Sequence, residues 1–82
     1  MTDPDILSEL TTIFRSVLTN DDIVLRPELT TADIPKWDSF RYIDIILRIE
    51  ETMHVKIRSR EANKVRNIGE MVDLIRSKQA TA

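Results

Sequence analysis

The sequence predicts an all-α domain of four helices, one of them short, with a long loop between the first two. Apolar residues recur at spacings of three and four along most of the chain, which is the period of an amphipathic helix. One long stretch, from Thr19 to Asp38, breaks that period with two prolines and several Asp, Glu and Thr residues. Because 82 residues leave room for a single hydrophobic core, we expect one domain spanning residues 1–82.

The first helix is predicted between Pro4 and Asn20. Asp3 is a suitable N-cap, with Pro4 at the first helical position, where a missing N–H costs nothing. The polar residues Asn20-Asp21-Asp22 mark the end of this helix. The apolar positions fall on one stripe of the helix: Ile6, Leu7, Leu10, Ile13, Phe14, Val17 and Leu18.

The loop from Thr19 to Asp38 is long for so small a domain. Loops of this length are uncommon and are more often functional than idle. We expect its apolar residues to anchor it across the helices, namely Ile23, Val24, Leu25, Leu29 and Ile34.

The second helix is predicted to begin at Asp38 or Ser39, either of which can cap it, and to run to about Met53. Its length and its polar insertions favour a helix over a strand, despite several β-branched residues. The apolar positions are too many for one narrow stripe, so we expect the central, most buried helix. They are Phe40, Tyr42, Ile43, Ile45, Ile46, Leu47, Ile49 and Met53.

Two further helices are predicted after an extended piece at 55–57. Ser59 can cap a helix of about two turns that includes Glu61, Ala62 and Val65. Asn67, with Glu70 three residues later, forms a variant of the capping box and opens the last helix. Residues 78–82 are expected to fray. The apolar face of the last helix is Ile68, Met71, Val72, Leu74 and Ile75.

Composition disfavours an enzyme. The chain has no cysteine and one histidine, His54, which leaves no thiol nucleophile, no disulfide and little acid–base or metal chemistry. No nucleophile–base pair or glycine-rich phosphate loop is visible, since Gly69 is the only glycine. No run approaches the roughly twenty apolar residues of a membrane span, and an acidic N-terminus is unlike a signal peptide. We therefore expect a cytoplasmic protein.

Charge is distributed unevenly, although the net charge is only −2. Residues 1–40 hold eight acidic side chains against three basic ones, whereas residues 41–82 hold six acidic against nine basic. Such an uneven charge distribution can orient a charged partner. A solvated surface without a functional role would show the same distribution. A basic half also raises the possibility of a nucleic-acid-binding module. The negative net charge, the isoelectric point near 5.3 and the apolar second helix argue against it.

Ser39 is the residue best placed for chemistry. A serine in the first turn of a helix lies where backbone N–H groups lack partners and the helix dipole favours negative charge, so a phosphodiester would be stabilised there. The same position suits a serine, or Asp38 beside it, that only caps the helix. Position alone leaves both interpretations open.

The order of elements and the residues around Ser39 resemble the acyl carrier protein family. Members carry Asp-Ser-Leu or a close variant, and Asp38-Ser39-Phe40 stands in that place, before an apolar helix with Glu50 and Glu51 near its end. Met53-His54-Val55-Lys56-Ile57 is similar to the family's Phe-x-Ile-x-Ile segment, and the residues after it align without a gap. The resemblance covers nearly the whole chain.

This resemblance implies a four-helix bundle in which Ser39 receives 4′-phosphopantetheine from coenzyme A through a separate phosphopantetheinyl transferase. The arm holds an acyl or aminoacyl group as a thioester and presents it to acyl-loading and acyl-transferring enzymes. Asp38 would help to present Ser39 to the transferase. A monomer is expected, with no nucleic-acid or membrane partner. Docking is expected at Phe40, Arg41, Asp44, Arg48, Glu50 and Glu51.

Two features favour a specialised carrier over one of primary fatty-acid synthesis. Fatty-acid-synthesis carriers dock through an acidic face, whereas here the corresponding helices carry Arg41, Arg48, Arg58, Arg60, Lys64 and Arg66, which would repel basic docking patches. Trp37 before Asp38 points the same way, because Trp-Asp-Ser resembles stand-alone carriers of polyketide-like or other specialised pathways. A carrier-like fold that has lost its arm and serves only for protein docking is the remaining alternative.

Overall fold

The computed structural model describes residues 2–34 and 38–81, with the backbone alone for Thr31, Ser39, Ala80 and Thr81. A 3₁₀ turn, Thr31–Asp33, lies in the loop after the first helix, and the described residues contain no strand. The predicted all-α fold with one short helix and a long loop is confirmed. Within the described residues, no helix is both long and apolar enough to cross a bilayer. The helices are α1 Asp3–Leu18, α2 Ser39–Met53, α3 Ser59–Lys64 and α4 Ile68–Thr81.

The helix against which α2 and α4 pack is α1. Five of its predicted apolar positions are buried and the other two pack against them. The predicted N-cap is wrong by one residue, since Thr2 and not Asp3 caps the helix. Thr2 Oγ1 accepts a hydrogen bond from the Asp5 N–H at 3.4 Å, and the Asp5 carboxylate accepts the Thr2 N–H at 3.1 Å. This capping box needs an acidic or amide residue three positions on, which Asp3 lacks because Ile6 follows it there.

The loop between α1 and α2 is anchored by apolar side chains, as predicted. Ile23, Leu25 and Ile34 are buried, and Leu29 packs against the core. Val24 is the exception: 65% of it is exposed. In an extended segment neighbouring side chains point to opposite sides, so Val24 faces solvent where Ile23 and Leu25 face inward.

Backbone hydrogen bonds join the same loop to the start of α4. The Ile68 N–H donates to the Leu29 carbonyl at 2.9 Å, and the Gly69 N–H donates to the Pro27 carbonyl at 2.8 Å. A Cβ at position 69 would lie 3.2 Å from both the Pro27 Cβ and its carbonyl oxygen. The single glycine therefore stands where the loop approaches the helix most closely, and it lets the loop cap α4.

The prediction that α2 is the most buried helix is wrong. Ile45, Ile49 and Met53 are buried, fewer than the five residues that α1 buries. Large apolar side chains remain on its opposite face, so α2 has an inner and an outer apolar surface. The outer surface belongs to the candidate site.

The short helix α3 begins at Ser59, so the prediction that Ser59 caps it is wrong. Arg58 occupies the N-cap position with an extended backbone. The Glu61 carboxylate accepts the Arg58 N–H at 3.1 Å, which supplies half of a capping box. The Lys78 ammonium lies 2.6 Å from the same carboxylate, so α3 is linked to α4. The helix α4 continues to Thr81, so residues 78–81, expected to fray, are helical here, and Ala82 lies outside the described residues.

Asn67 caps α4 as predicted, because its Oδ1 accepts a hydrogen bond from the Glu70 N–H at 2.8 Å. We expect Asn67→Ala to lower the free energy of unfolding by about 1 kcal/mol, the usual cost of a lost N-cap. Urea denaturation followed by circular dichroism measures the change. Asn67→Ser is the control and should retain most of the stability, since serine caps equally well. Equal stability of wild type and Asn67→Ala would contradict the role of this cap.

Candidate functional site

The start of α2 is set by Asp38. Its Oδ1 accepts a hydrogen bond from the Arg41 N–H at 2.9 Å, and its carbonyl accepts the Tyr42 N–H at 2.9 Å. Its backbone is extended, with φ −125° and ψ −178°, as an N-cap requires. Ser39 is therefore the first residue of α2, at the position that the sequence predicts. Trp37 lies outside the described residues.

Electrostatics at this helix start favour a negative group. The first N–H groups of a helix have no partner within it, and the helix dipole adds partial positive charge there. Asp38 takes one of those N–H groups. Arg41 Nε lies 3.9 Å from Asp38 Oδ2, and the two side chains are 41% and 59% exposed, so this ion pair is weak. The remaining N–H groups of the first turn and the helix dipole can therefore stabilise an added anion beside Ser39.

The structure brings some of the predicted docking residues together and separates others. Phe40, Asp44 and Glu51 are exposed and follow one another along the outer face of α2, at the spacing of helix turns. Arg41 and Arg48, seven residues apart, share an adjacent flank. These five residues form one surface with mixed charge.

Glu50 is not part of this surface, because it faces the segment that precedes α3. Its Oε2 accepts a hydrogen bond from the Ile57 N–H at 2.9 Å. The carboxylate thus holds the segment that leads into α3 against the C-terminal half of α2. This contact makes Glu50 a structural residue of the α2–α3 junction.

The sequence interpretation named Phe40 as a docking residue but missed that Ile43 and Leu47 form an exposed apolar stripe with it on α2. Phe40 is 83% exposed, Ile43 59% and Leu47 52%. Spacings of three and four residues place them on one side of the helix, away from the buried Ile45 and Ile49. The same spacing is visible in the sequence, but without a partner helix it does not tell which of two apolar faces is buried. We call Phe40, Ile43 and Leu47 the apolar stripe.

An open cleft of about 250 Å³ lies between α2 and α3. Tyr42 lies at its edge, where the phenol hydroxyl donates to the Ala62 carbonyl at 2.7 Å. Burial raises the pKa of Tyr42 to about 12. The apolar lining of the cleft comes from Ile43, Ile46 and Leu47 of α2 and from Ile57 and Ala62 opposite.

Basic side chains surround α3. They are exposed, and among the described residues none of them lies within ion-pairing distance of a carboxylate. The acidic side chain of α3 itself, Glu61, is engaged by Lys78. Hydrogen bonding to Lys78 and to the Arg58 N–H lowers the pKa of Glu61. We call the unpaired cations the basic strip: Lys56, Arg58, Arg60, Lys64 and Arg66.

Both the fold and the sequence are similar to those of a protein of known structure. No protein-family model matches the chain. The fold is similar to the solution NMR structure of a holo acyl carrier protein from Geobacter metallireducens, with a TM-score of 0.86. The two sequences are 37% identical, and the match covers 93% of this chain and 87% of the other. The similarity therefore extends over nearly the full length of both proteins.

The raised pKa of Tyr42 predicts a pH effect on stability. The folded protein holds the phenol proton more tightly than the unfolded chain, whose tyrosine titrates near about 10. The stabilisation is fully present below about pH 10 and is lost as the pH rises toward 12. Because the chain has one tyrosine, the ultraviolet absorbance of tyrosinate reports this group alone. A midpoint near 10 in the folded protein, equal to that of the urea-unfolded chain, would contradict the burial of the phenol.

Proposed function

Because this chain belongs to the acyl carrier protein family, we propose that it carries acyl or aminoacyl groups as thioesters on a 4′-phosphopantetheine arm linked to Ser39. Members of this family are carriers and not enzymes. The observation that supports Ser39 most directly is the start of α2, where Asp38 caps the helix and Ser39 is its first residue.

The residues at the helix start suit such an arm. A phosphodiester is an anion, and the first turn of a helix stabilises one through unpaired N–H groups and the dipole. When bound, the arm supplies the thiol that forms the thioester. The chain has no cysteine and would otherwise have no group for that chemistry.

In this proposal Asp38 acts by position and not by proton transfer. Its carboxylate accepts the Arg41 N–H, so it fixes the first turn of α2 and presents Ser39 at the end of a rigid element. A phosphopantetheinyl transferase then meets the serine in one orientation. The flexible arm raises the effective concentration of the cargo at each partner enzyme, as tethering does in general.

We propose that partners dock on the outer face of α2. An apolar stripe with charged neighbours has the composition of a protein-binding surface, because apolar contacts give affinity and charges give orientation. Glu50 contributes through its hold on Ile57. The proposed docking residues are Phe40, Arg41, Asp44, Arg48, Glu50 and Glu51, joined by Ile43 and Leu47.

The basic strip supports a specialised set of partners outside primary fatty-acid synthesis. Unpaired cations beside the docking face attract enzymes with acidic margins and repel enzymes with basic ones. The working state in this proposal is a cytoplasmic monomer that meets its transferase, its acyl-loading enzyme and its acyl-transferring enzymes in turn.

Modification of Ser39 is tested by intact mass. The full chain is incubated with coenzyme A and a broad-specificity phosphopantetheinyl transferase. We expect wild type to gain one phosphopantetheinyl group and Ser39→Ala to gain none. Ser59→Ala is the matched control, since Ser59 is also the first residue of a helix, and it should be modified like wild type. No gain in wild type would favour the docking module without an arm.

Partner choice is tested in a fatty-acid synthase assay. We expect the loaded wild-type protein to support acyl loading and elongation at least about tenfold less efficiently than the synthase's own carrier, a difference of about 1.4 kcal/mol. Arg60→Glu should raise the efficiency by removing repulsion. Arg26→Glu makes the same charge change in the α1–α2 loop and should leave it unchanged. Efficient elongation with wild type would contradict the specialised role.

A further inference from the structure

The charged residues beside the apolar stripe of α2 alternate in sign. Spacings of three, four and three residues keep them on one side of the helix. Apart from the weak contact of Arg41 with Asp38, none of them forms an ion pair with a described residue. Opposite charges at this spacing can stabilise a helix by pairing along it, but here they do not pair with one another. We call these four residues the charge ladder: Arg41, Asp44, Arg48 and Glu51.

The charge ladder is symmetric about position 46. Arg41 and Glu51 lie five residues before and after that position, and Asp44 and Arg48 lie two residues before and after it. At 1.5 Å per residue, these offsets are about 7.5 Å and about 3 Å along the helix axis. Within each pair the two charges are opposite. A second copy of α2 that runs in the reverse direction therefore presents the complementary charge at every step of the ladder.

An antiparallel pair of α2 helices about a two-fold axis brings the same side of both helices together, because an interface of this symmetry is self-complementary. Arg41 then faces Glu51 of the second copy, and the symmetry repeats this pair. Asp44 likewise faces Arg48 of the second copy, also twice. A parallel pair would place each charge opposite itself, and like charges repel. The ladder thus favours one direction and one register.

The same arrangement brings the apolar stripe against its own copy. Leu47 lies one residue from position 46, so the two copies of Leu47 are offset by about 3 Å along the axis and meet at its centre. Ile43 follows on either side of them. These side chains are 52% and 59% exposed in the single chain. Apolar contact between them supplies affinity, while the ladder supplies orientation.

We propose that this protein forms a weak antiparallel dimer through α2, with the apolar stripe at its centre and the charge ladder along one side. The pairing itself needs neither Ser39 nor an arm. It covers the outer face of α2, so a dimer withholds that face from other proteins. The consequence for acyl-handling enzymes rests on the proposed function, which places their docking on the same face.

Two features limit the strength of this dimer. A single pair of helices buries less than the roughly 1,200 Å² of a standard interface. The basic strips of both copies lie on the α3 side of the pair, where they repel one another. We expect a dissociation constant of about 100 µM. The monomer then predominates in dilute solution, as in the working state proposed above, and the dimer forms where the carrier is concentrated.

The dimer is tested by sedimentation equilibrium of the unmodified full-length protein, from tenfold below to tenfold above that constant. Asp44→Arg places a cation opposite Arg48 twice in each dimer and should weaken association at least about tenfold. The double exchange Asp44→Arg with Arg48→Asp restores opposite charges, so its constant should return to within about threefold of wild type. Asp21→Arg is the matched control, because it makes the same charge change at an exposed position of the α1–α2 loop. Its association should equal that of wild type.

Leu47→Ala provides a second measurement that does not depend on charge. It removes the apolar centre from both copies and should weaken association at least about fivefold. Circular dichroism checks that each variant is folded, as expected for side chains that are exposed in the monomer. Wild type that stays monomeric at ten times the expected constant would overturn the proposal. Association that Asp44→Arg leaves unchanged, or that the double exchange fails to restore, would also overturn it.

Failure of this inference is distinguishable from failure of the proposed function. Association is measured on protein without an arm, whereas attachment of the arm to Ser39 is measured by intact mass. A protein that is modified and never dimerises would overturn the dimer alone. A protein that dimerises as described and is never modified would support the dimer and contradict the carrier function.

Discussion

Burial of one face of α2 on the core is the constraint on which the rest of the site depends. Ile45 and Ile49 are fully buried, and their positions fix the rotation of the helix about its axis. The apolar stripe must then point outward, and Tyr42 must point toward α3. The Asp38 cap sets where the helix begins. Together these contacts place Ser39 at the start of a helix that has a core face, a cleft face and an exposed apolar face.

Acidic and basic side chains are distributed unequally over these surfaces. The acidic first half of the chain forms α1 and the long loop, while the basic strip surrounds α3 beside the cleft. Glu61 is neutralised by Lys78, so the region around α3 presents positive charge. The outer face of α2, where docking is proposed, therefore has an apolar centre with cations on the α3 side. In the proposed function, a general transferase would need only Ser39 and its helix start, whereas acyl-handling enzymes would need the wider surface, so the same molecule could accept the first and discriminate among the others.

The helices and the position of Ser39 were predictable because they depend on local signals: the spacing of apolar residues in α1, the Asn67 cap and the Asp38-Ser39 pair. The N-caps of α1 and α3 were misplaced by one residue, but the errors in α2 and at the C-terminus come from contacts that the chain makes at a distance. The excess of apolar residues in α2 indicated burial, but the core has room for one face only, so Phe40 and Leu47 remain outside. The C-terminal turn was expected to fray because nothing in its sequence reveals that Lys78 meets Glu61. Nor does spacing reveal the hydrogen bond from Tyr42 to Ala62, twenty residues away.

The claim that Ser39 bears the arm is tested most directly by locating the modification. Trypsin cuts after Lys36 and Arg41, and the peptide between them, Trp-Asp-Ser-Phe-Arg, contains a single hydroxyl side chain. The full-length protein is modified with coenzyme A and a transferase, digested, and the fragment spectrum of peptide 37–41 is recorded. The account predicts the whole phosphopantetheinyl mass on this peptide, at Ser39. The same mass on any other peptide, or on none, would contradict it.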